Sequence, residues 1–252
     1  MTVSSLVNEV RWCLVPRPVA KPRLRLICFA YAGGNAELFR PWIEYLDADI
    51  ELVAVRLPGR GARIRDPLYD AWPALVEDCA KALAPYLAGP YALFGHSFGG
   101  RLAYELARAE RSLGSTNCRR LFIAGCRSPD RAQAQPYLHG LPDAAFREAL
   151  RTMGGTPVAV LKDARLMNLV LPALRGDMRL AELWRDWHGT PFDVPLHIYY
   201  GRHDPIDSEM CVEGWRRFTT AGCELFGIDG AHFFLESHRD QMLAHLIACI
   251  RS

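Results

Sequence analysis

The chain has 252 residues, 50% hydrophobic and 23% charged, with 30 basic against 28 acidic side chains and a formal net charge of +2. A chain of this length and composition buries a large core and excludes disorder, and its near-balanced charge excludes the strong basic bias of a dedicated nucleic-acid binder. No run approaches the roughly 20 apolar residues of a membrane span, and Met1 to Val10 has neither the basic start nor the apolar stretch of a signal peptide, so a cytoplasmic protein with no membrane partner is expected.

Taken in chain order, Leu24 to Ala30 predicts a strand that ends in the glycine turn Tyr31-Ala32-Gly33-Gly34, and Ile50 to Leu57 predicts a second. Helix-spaced apolar residues over Ala74 to Leu87 follow, then a strand from Tyr91 to Gly95, a helix from Arg101 to Arg111 and a strand from Leu121 to Cys126. From Arg127 to Pro195 the connection is too long for one crossover helix. It holds three helical patterns, Phe146 to Met153, Ala159 to Leu171 and Leu174 to Trp187, with a break at Gly154-Gly155-Thr156-Pro157. The strand Leu196 to Gly201, a helix over Glu209 to Thr220, the strand Cys223 to Ile228 and a helix over Arg239 to Ile250 complete the chain. Such alternation predicts an α/β class with a mostly parallel sheet flanked by helices. We read residues 1–252 as a single domain, with 128–194 inserted as a helical lid placed to cover a site.

The eight cysteines are scattered and several fall in apolar runs, so they read as free thiols of a reducing compartment. Neither CxxC nor HExxH occurs, and no metal site is expected.

Gly95-His96-Ser97-Phe98-Gly99-Gly100 lies between a predicted strand and a predicted helix, the arrangement of a nucleophile elbow. A bare Gly-x-Ser-x-Gly arises by chance in roughly one chain of this length in ten, so the flanking elements carry the reading. A serine hydroxyl needs a base, and the base needs a third group to hold its tautomer. In this chain order, serine, acid, histidine, the acid is Asp204, directly after the strand Leu196 to Tyr200, with Asp207 as its competitor. The base is His232, which follows Cys223 to Ile228 and the turn Asp229-Gly230-Ala231; His96, His203, His238 and His245 fit the order or direction less well. For the oxyanion, the backbone N–H groups of Phe98 and Ala32 are the expected donors. Phe146, Met153, Leu166 and Met167 are candidates for an acyl chamber, with core packing an equal reading of each. Arg60, Arg63 and Arg65 read as a solvated loop or as a contact for an acidic partner.

With Phe29-Ala30-Tyr31-Ala32-Gly33-Gly34, Leu57-Pro58-Gly59-Arg60-Gly61, Gly95 to Gly100, Gly201 to Asp204 and Ala231-His232-Phe233, the chain resembles the type II thioesterases from about Arg23 to its C-terminus. These are free-standing α/β-hydrolases associated with polyketide and nonribosomal peptide synthetases. Leu141-Pro142-Asp143, Gly154 to Pro157 and Leu171 to Asp177 look like that family's lid. The resemblance implies hydrolysis of acyl thioesters from the phosphopantetheine arm of a carrier protein, which clears stalled or misloaded groups. No cofactor of the chain's own is implied, since the substrate carries the phosphopantetheine. The implied partner is an acyl or peptidyl carrier domain, with the enzyme a monomer. Phe98 and Arg101 depart from the family's usual Met and small or apolar residue. A medium-chain acyl carrier protein thioesterase of fatty-acid synthesis, a generic carboxylesterase and a catalytically silent docking module are the alternatives.

Overall fold

In the computed structural model, residues 11–132, 137–185 and 190–252 are described. The N-terminal stretch Met1 to Val10 and the end of the helical pattern at Trp187 lie outside them. Seven strands form one sheet: β1 (Cys13–Leu14), β2 (Leu24–Phe29), β3 (Ile50–Val55), β4 (Tyr91–His96), β5 (Cys118–Ala124), β6 (Leu196–Gly201) and β7 (Cys223–Ile228). Their order across the sheet is β1-β3-β2-β4-β5-β6-β7, with β1 antiparallel to β3 and every other pairing parallel. The two-residue β1 was not expected from the sequence, because two residues carry no periodicity.

The helices are α1 (Trp72–Leu87), α2 (Phe98–Ser112), α3 (Asp143–Met153), α4 (Val158–Lys162), α5 (Ala164–Leu183), α6 (Glu209–Val212), α7 (Phe234–Ser237) and α8 (Arg239–Arg251). The inner strands are buried on both faces, as a parallel sheet covered by helices requires. Alternation along each strand sorts the core into two layers. Ile27, Phe29, Leu93 and Ile123 meet α1 and α2, whereas Leu26, Cys28, Phe94 and Phe122 meet α8.

The lid keeps the break at Gly154 to Pro157, between α3 and α4, but the boundary between its second and third helical patterns shifts. It falls at Asp163, whose carboxylate caps α5 by accepting from the amides of Arg165 and Leu166, and α5 then runs unbroken through Pro172. A proline breaks a helix through one lost backbone bond and a local clash. Here the apolar face of α5, buried at Met167, Leu171 and Leu174 against Phe146 and Leu150 of α3, keeps the helix continuous. The predicted helix Glu209 to Thr220 is α6 followed by a 3-10 turn at Glu213–Phe218.

β4 turns into α2 in one residue, and this brings main chains closer than a side chain permits. A Cβ on Gly99 would lie 2.3 Å from the Phe29 carbonyl oxygen and 2.5 Å from that of Ala30, and one on Gly95 would lie 2.0 Å from Gly99 O. Backbone cannot yield as a side-chain tip does. Gly99→Ala is expected to destabilise the fold by about 3 kcal/mol through overpacking, whereas Gly140→Ala, with nothing within 4 Å, should stay within about 0.5 kcal/mol of wild type. Denaturant melts of the pair check this, and equal midpoints would refute the close-approach account.

Candidate active site

Ser97 stands between β4 and α2 with φ 54° and ψ −112°, the only positive-φ residue other than glycine among the described residues. That conformation is costly for a residue with a Cβ and is held by its surroundings. The Ser97 amide donates to Ala124 O at 2.8 Å, and the amides of Gly100 and Arg101 return to Ser97 O.

β6 ends at Gly201, and the loop beyond it carries Asp204; β7 ends at Ile228, and the turn beyond it carries His232. The two strands are neighbours, so their loops meet at the carboxyl edge of the sheet. His232 Nδ1 and Asp204 Oδ2 are 2.7 Å apart, with both residues buried. The other carboxylate oxygen of Asp204 accepts from the amides of Ile206 and Asp207 at 2.7 and 3.0 Å. Burial pushes the Asp204 carboxyl up. The hydrogen bond and charge of His232, with the two amides, outweigh it and hold the group below the ordinary carboxylate range. An ionised Asp204 accepts, so His232 Nδ1 donates, and in the neutral imidazole this tautomer leaves the lone pair on Nε2. Asp207, the competitor, is taken by Arg127 Nε at 2.6 Å.

Ser97 and His232 line a cavity of about 350 Å³ whose other walls are Tyr31, Ala32 and Gly33 on one side and Leu150, Met153, Val160, Val170, Leu174 and Met178 of the lid on the other. A larger groove of about 900 Å³ lies between α1, α2 and α5, but it holds none of Ser97, Asp204 or His232. Ala32 and Ser97 thus line the same cavity. Phe98 directly follows Ser97, and its ring turns away, buried against Trp72 at 5.5 Å, so it does not shape the cavity.

Of the four lid residues read as either cavity lining or core, Met153 reaches the cavity, Phe146 and Met167 pack inside the lid, and Leu166 is exposed. Arg60 and Arg63 are not solvated: Arg60 pairs with Asp177, and Arg63 pairs with Asp66 and stacks on Trp12 at 3.8 Å. Arg101 is likewise buried, with its guanidinium 5.6 Å from the Trp184 ring, which leaves it unavailable to a partner.

Sequence reasoning set His96 aside, yet it sits beneath His232. Its Nε2 donates to the His232 carbonyl at 2.9 Å, and the two rings are 5.2 Å apart. His96 is the last residue of β4, where strand alternation turns its side chain away from that of Ser97 and into the core, which was the available signal. Tyr31 was read only as part of a glycine turn; its hydroxyl donates to Glu236 at 2.6 Å at the cavity wall.

Burial and the nearby charge of His232 push His96 down to about 3. An unfolded histidine titrates near 6.5, so the unfolded chain binds one more proton between these values. Stability from this site is complete above about pH 6.5 and is lost as pH falls toward 3, at up to about 1.4 kcal/mol per pH unit. The protein is expected to lose about 2 kcal/mol between pH 7 and pH 5 from this group. Burial also lowers His197, which adds to the slope. In urea melts His96→Gln should keep only the His197 part; the wild-type slope in that variant would refute the assignment.

A sequence description of the thioesterase domain matches residues 24–250. Linear gramicidin dehydrogenase LgrE of Brevibacillus parabrevis is 34% identical over 249 residues, which span 98% of this chain and 95% of that protein. Among solved structures, the RedJ thioesterase from the prodiginine biosynthetic pathway of Streptomyces coelicolor is 41% identical, with a TM-score of 0.83 over 92% of this chain and 96% of its own. The type II thioesterase BorB from the borrelidin biosynthetic cluster is 33% identical, with a TM-score of 0.84 over 93% of this chain and 96% of its own. By sequence along nearly its whole length, and by the fold that holds Ser97, Asp204 and His232 at one edge of the sheet, the chain belongs to the thioesterase family.

Proposed function

We propose that the protein is a type II thioesterase, which hydrolyses acyl groups from the phosphopantetheine arm of acyl or peptidyl carrier domains of a polyketide or nonribosomal peptide synthetase. The observation that carries this reading is the buried Asp204 to His232 hydrogen bond beside the strained Ser97, in a cavity walled by apolar lid residues. The names of the type II relatives support a thioesterase of a biosynthetic pathway, the carrier-bound thioester is the substrate proposed for it, and the chain's own residues supply the chemistry. LgrE's dehydrogenase name does not extend here, since the chain has no Gly-x-Gly-x-x-Gly run and has serine at its strand-to-helix turn.

His232 Nε2 takes the Ser97 proton as Oγ attacks the thioester carbonyl, and His232 becomes an imidazolium facing the Asp204 carboxylate. The carbonyl oxygen gains negative charge, which the N–H groups of Ala32 and Phe98 stabilise. The carbon–sulfur bond breaks as the tetrahedral centre collapses, the pantetheine sulfur leaves, and the His232 proton neutralises it. A thiol of pKa about 8.5 leaves more easily than an amine, so this step asks little of the acid. Water then gives a proton to His232 and adds to the acyl-serine, and collapse frees the carboxylic acid while Ser97 regains its proton. The apolar cavity shelters the acyl chain throughout.

A panel of acylated carrier proteins of graded chain length, beside an oxygen ester of the same acyl group, tests the substrate. Release from carriers is expected to exceed oxygen-ester hydrolysis in kcat/KM, and the reverse order would sink the reading. Ser97→Ala should lower kcat about 10⁴-fold or more and abolish labelling by a fluorophosphonate. Asp204→Asn should lower kcat about 10⁴-fold, because an amide cannot hold Nδ1 as a donor while accepting two backbone amides; retained turnover in either variant would remove that residue from the mechanism.

A further inference from the structure

We infer that Asp177, on the lid helix α5, is a positioning residue for the oxyanion loop, tying the seating of the lid to the geometry of the Ala32 donor. The inference rests on the reading of Ala32 and Ser97 given above.

Asp177 Oδ2 accepts the Gly33 amide at 2.8 Å, and the same carboxylate receives both terminal nitrogens of Arg60, Nη2 to Oδ1 at 2.9 Å and Nη1 to Oδ2. Arg60 is fixed in turn by its Nε, which donates to Pro58 O at 3.0 Å. Asp177 is 6% exposed and Arg60 7%, so water is largely kept from the bonds between these two side chains. Three separate pieces of chain thus converge on one carboxylate: the loop after β2, the loop after β3 and the lid helix.

What the carboxylate holds is one residue from the oxyanion donor. The Ala32 N–H shares a rigid peptide plane with the Tyr31 carbonyl, and that carbonyl accepts from the Gly34 amide at 2.8 Å. The turn is therefore closed on itself, and its contacts with neighbouring segments fine-tune where it stands relative to Ser97 once β2 and β4 have brought the two together. Asp177 supplies one such contact at Gly33, in the middle of the turn. Leu174, one helical turn earlier on α5, lies so near that a Cβ on Gly33 would be 2.4 Å from its Cδ2. A carboxylate here does two things an apolar contact cannot: it gives the half-buried Gly33 N–H an acceptor, and it fixes direction as well as distance.

A role confined to holding the lid would alter stability and substrate binding. A positioning role alters the transition state. Asp177→Ala is expected to lower kcat on an acyl-pantetheine thioester about 10- to 100-fold with KM within about 3-fold, the cost of a donor displaced by a fraction of an ångström. Inhibition by an alkyl trifluoromethyl ketone, which forms an oxyanion on Ser97, should weaken by the same factor, and the Gly33 amide should exchange faster with solvent. Asp177→Asn keeps a carbonyl oxygen for Gly33 and should restore kcat to within about 3-fold of wild type. Wild-type kcat and ketone affinity in Asp177→Ala would overturn the inference, as would Asn proving as damaging as Ala. If Asp177→Ala does not fold, slow Gly33 exchange in Asp177→Asn supports the contact and fast exchange overturns it. Failure of the wild-type protein to release any acyl group overturns the proposed function instead, while the Gly33 exchange still reads the contact.

Discussion

The site hangs from the place where the main chain of Gly99 passes the carbonyl oxygens of Phe29 and Ala30. This approach lets α2 start directly against the end of β2, which leaves a single residue, Ser97, to turn the chain from strand to helix. One residue can do so only in a conformation that side chains disfavour, and Ser97 at φ 54° adopts it. The same approach sets the glycine turn after β2 beside the serine, because β2 and β4 are paired neighbours with Phe29 opposite Gly95. The serine and the loop that faces it are thus placed by one steric condition, satisfied by the absence of side chains.

Electrostatics then adds what sterics cannot. Asp204 is buried, which alone would favour its neutral acid, but three donors reverse the balance and keep it ionised. An ionised Asp204 selects the His232 tautomer, and His96 below holds the His232 carbonyl while remaining neutral itself. A second charge on His96 would oppose an imidazolium at His232 only 5.2 Å away. Burial removes that conflict by making His96 a poor base.

The lid contributes in a third way, by shape. Its own small core of Phe146, Leu150, Met167, Leu171 and Leu174 lets α3 and α5 stand as a unit above the sheet. The underside of that unit roofs the cavity, and Asp177 joins it to the loops below.

Much of this was legible in the sequence. The inner strands were found because buried parallel strands read as continuous apolar runs, and the positions of Ser97, Asp204 and His232 just beyond strand ends because triad chemistry, if they carry it, demands that order along the chain. β1 was too short to leave a pattern, and the helix boundary at Asp163 was missed because the apolar spacing from Ala159 to Leu171 runs across it. Arg60 and Asp177 are 117 residues apart, and no local rule could pair them. Sequence by itself determined the inner strands, most of the helices and the chain order of the candidate reacting groups, since these follow from periodicity and from the chemistry of single side chains. Only the tertiary structure decided which arginine is buried, which lid residues reach the cavity, and what holds Gly33 and His232 in place, because those depend on contacts between distant segments that exist only once the chain has closed on itself.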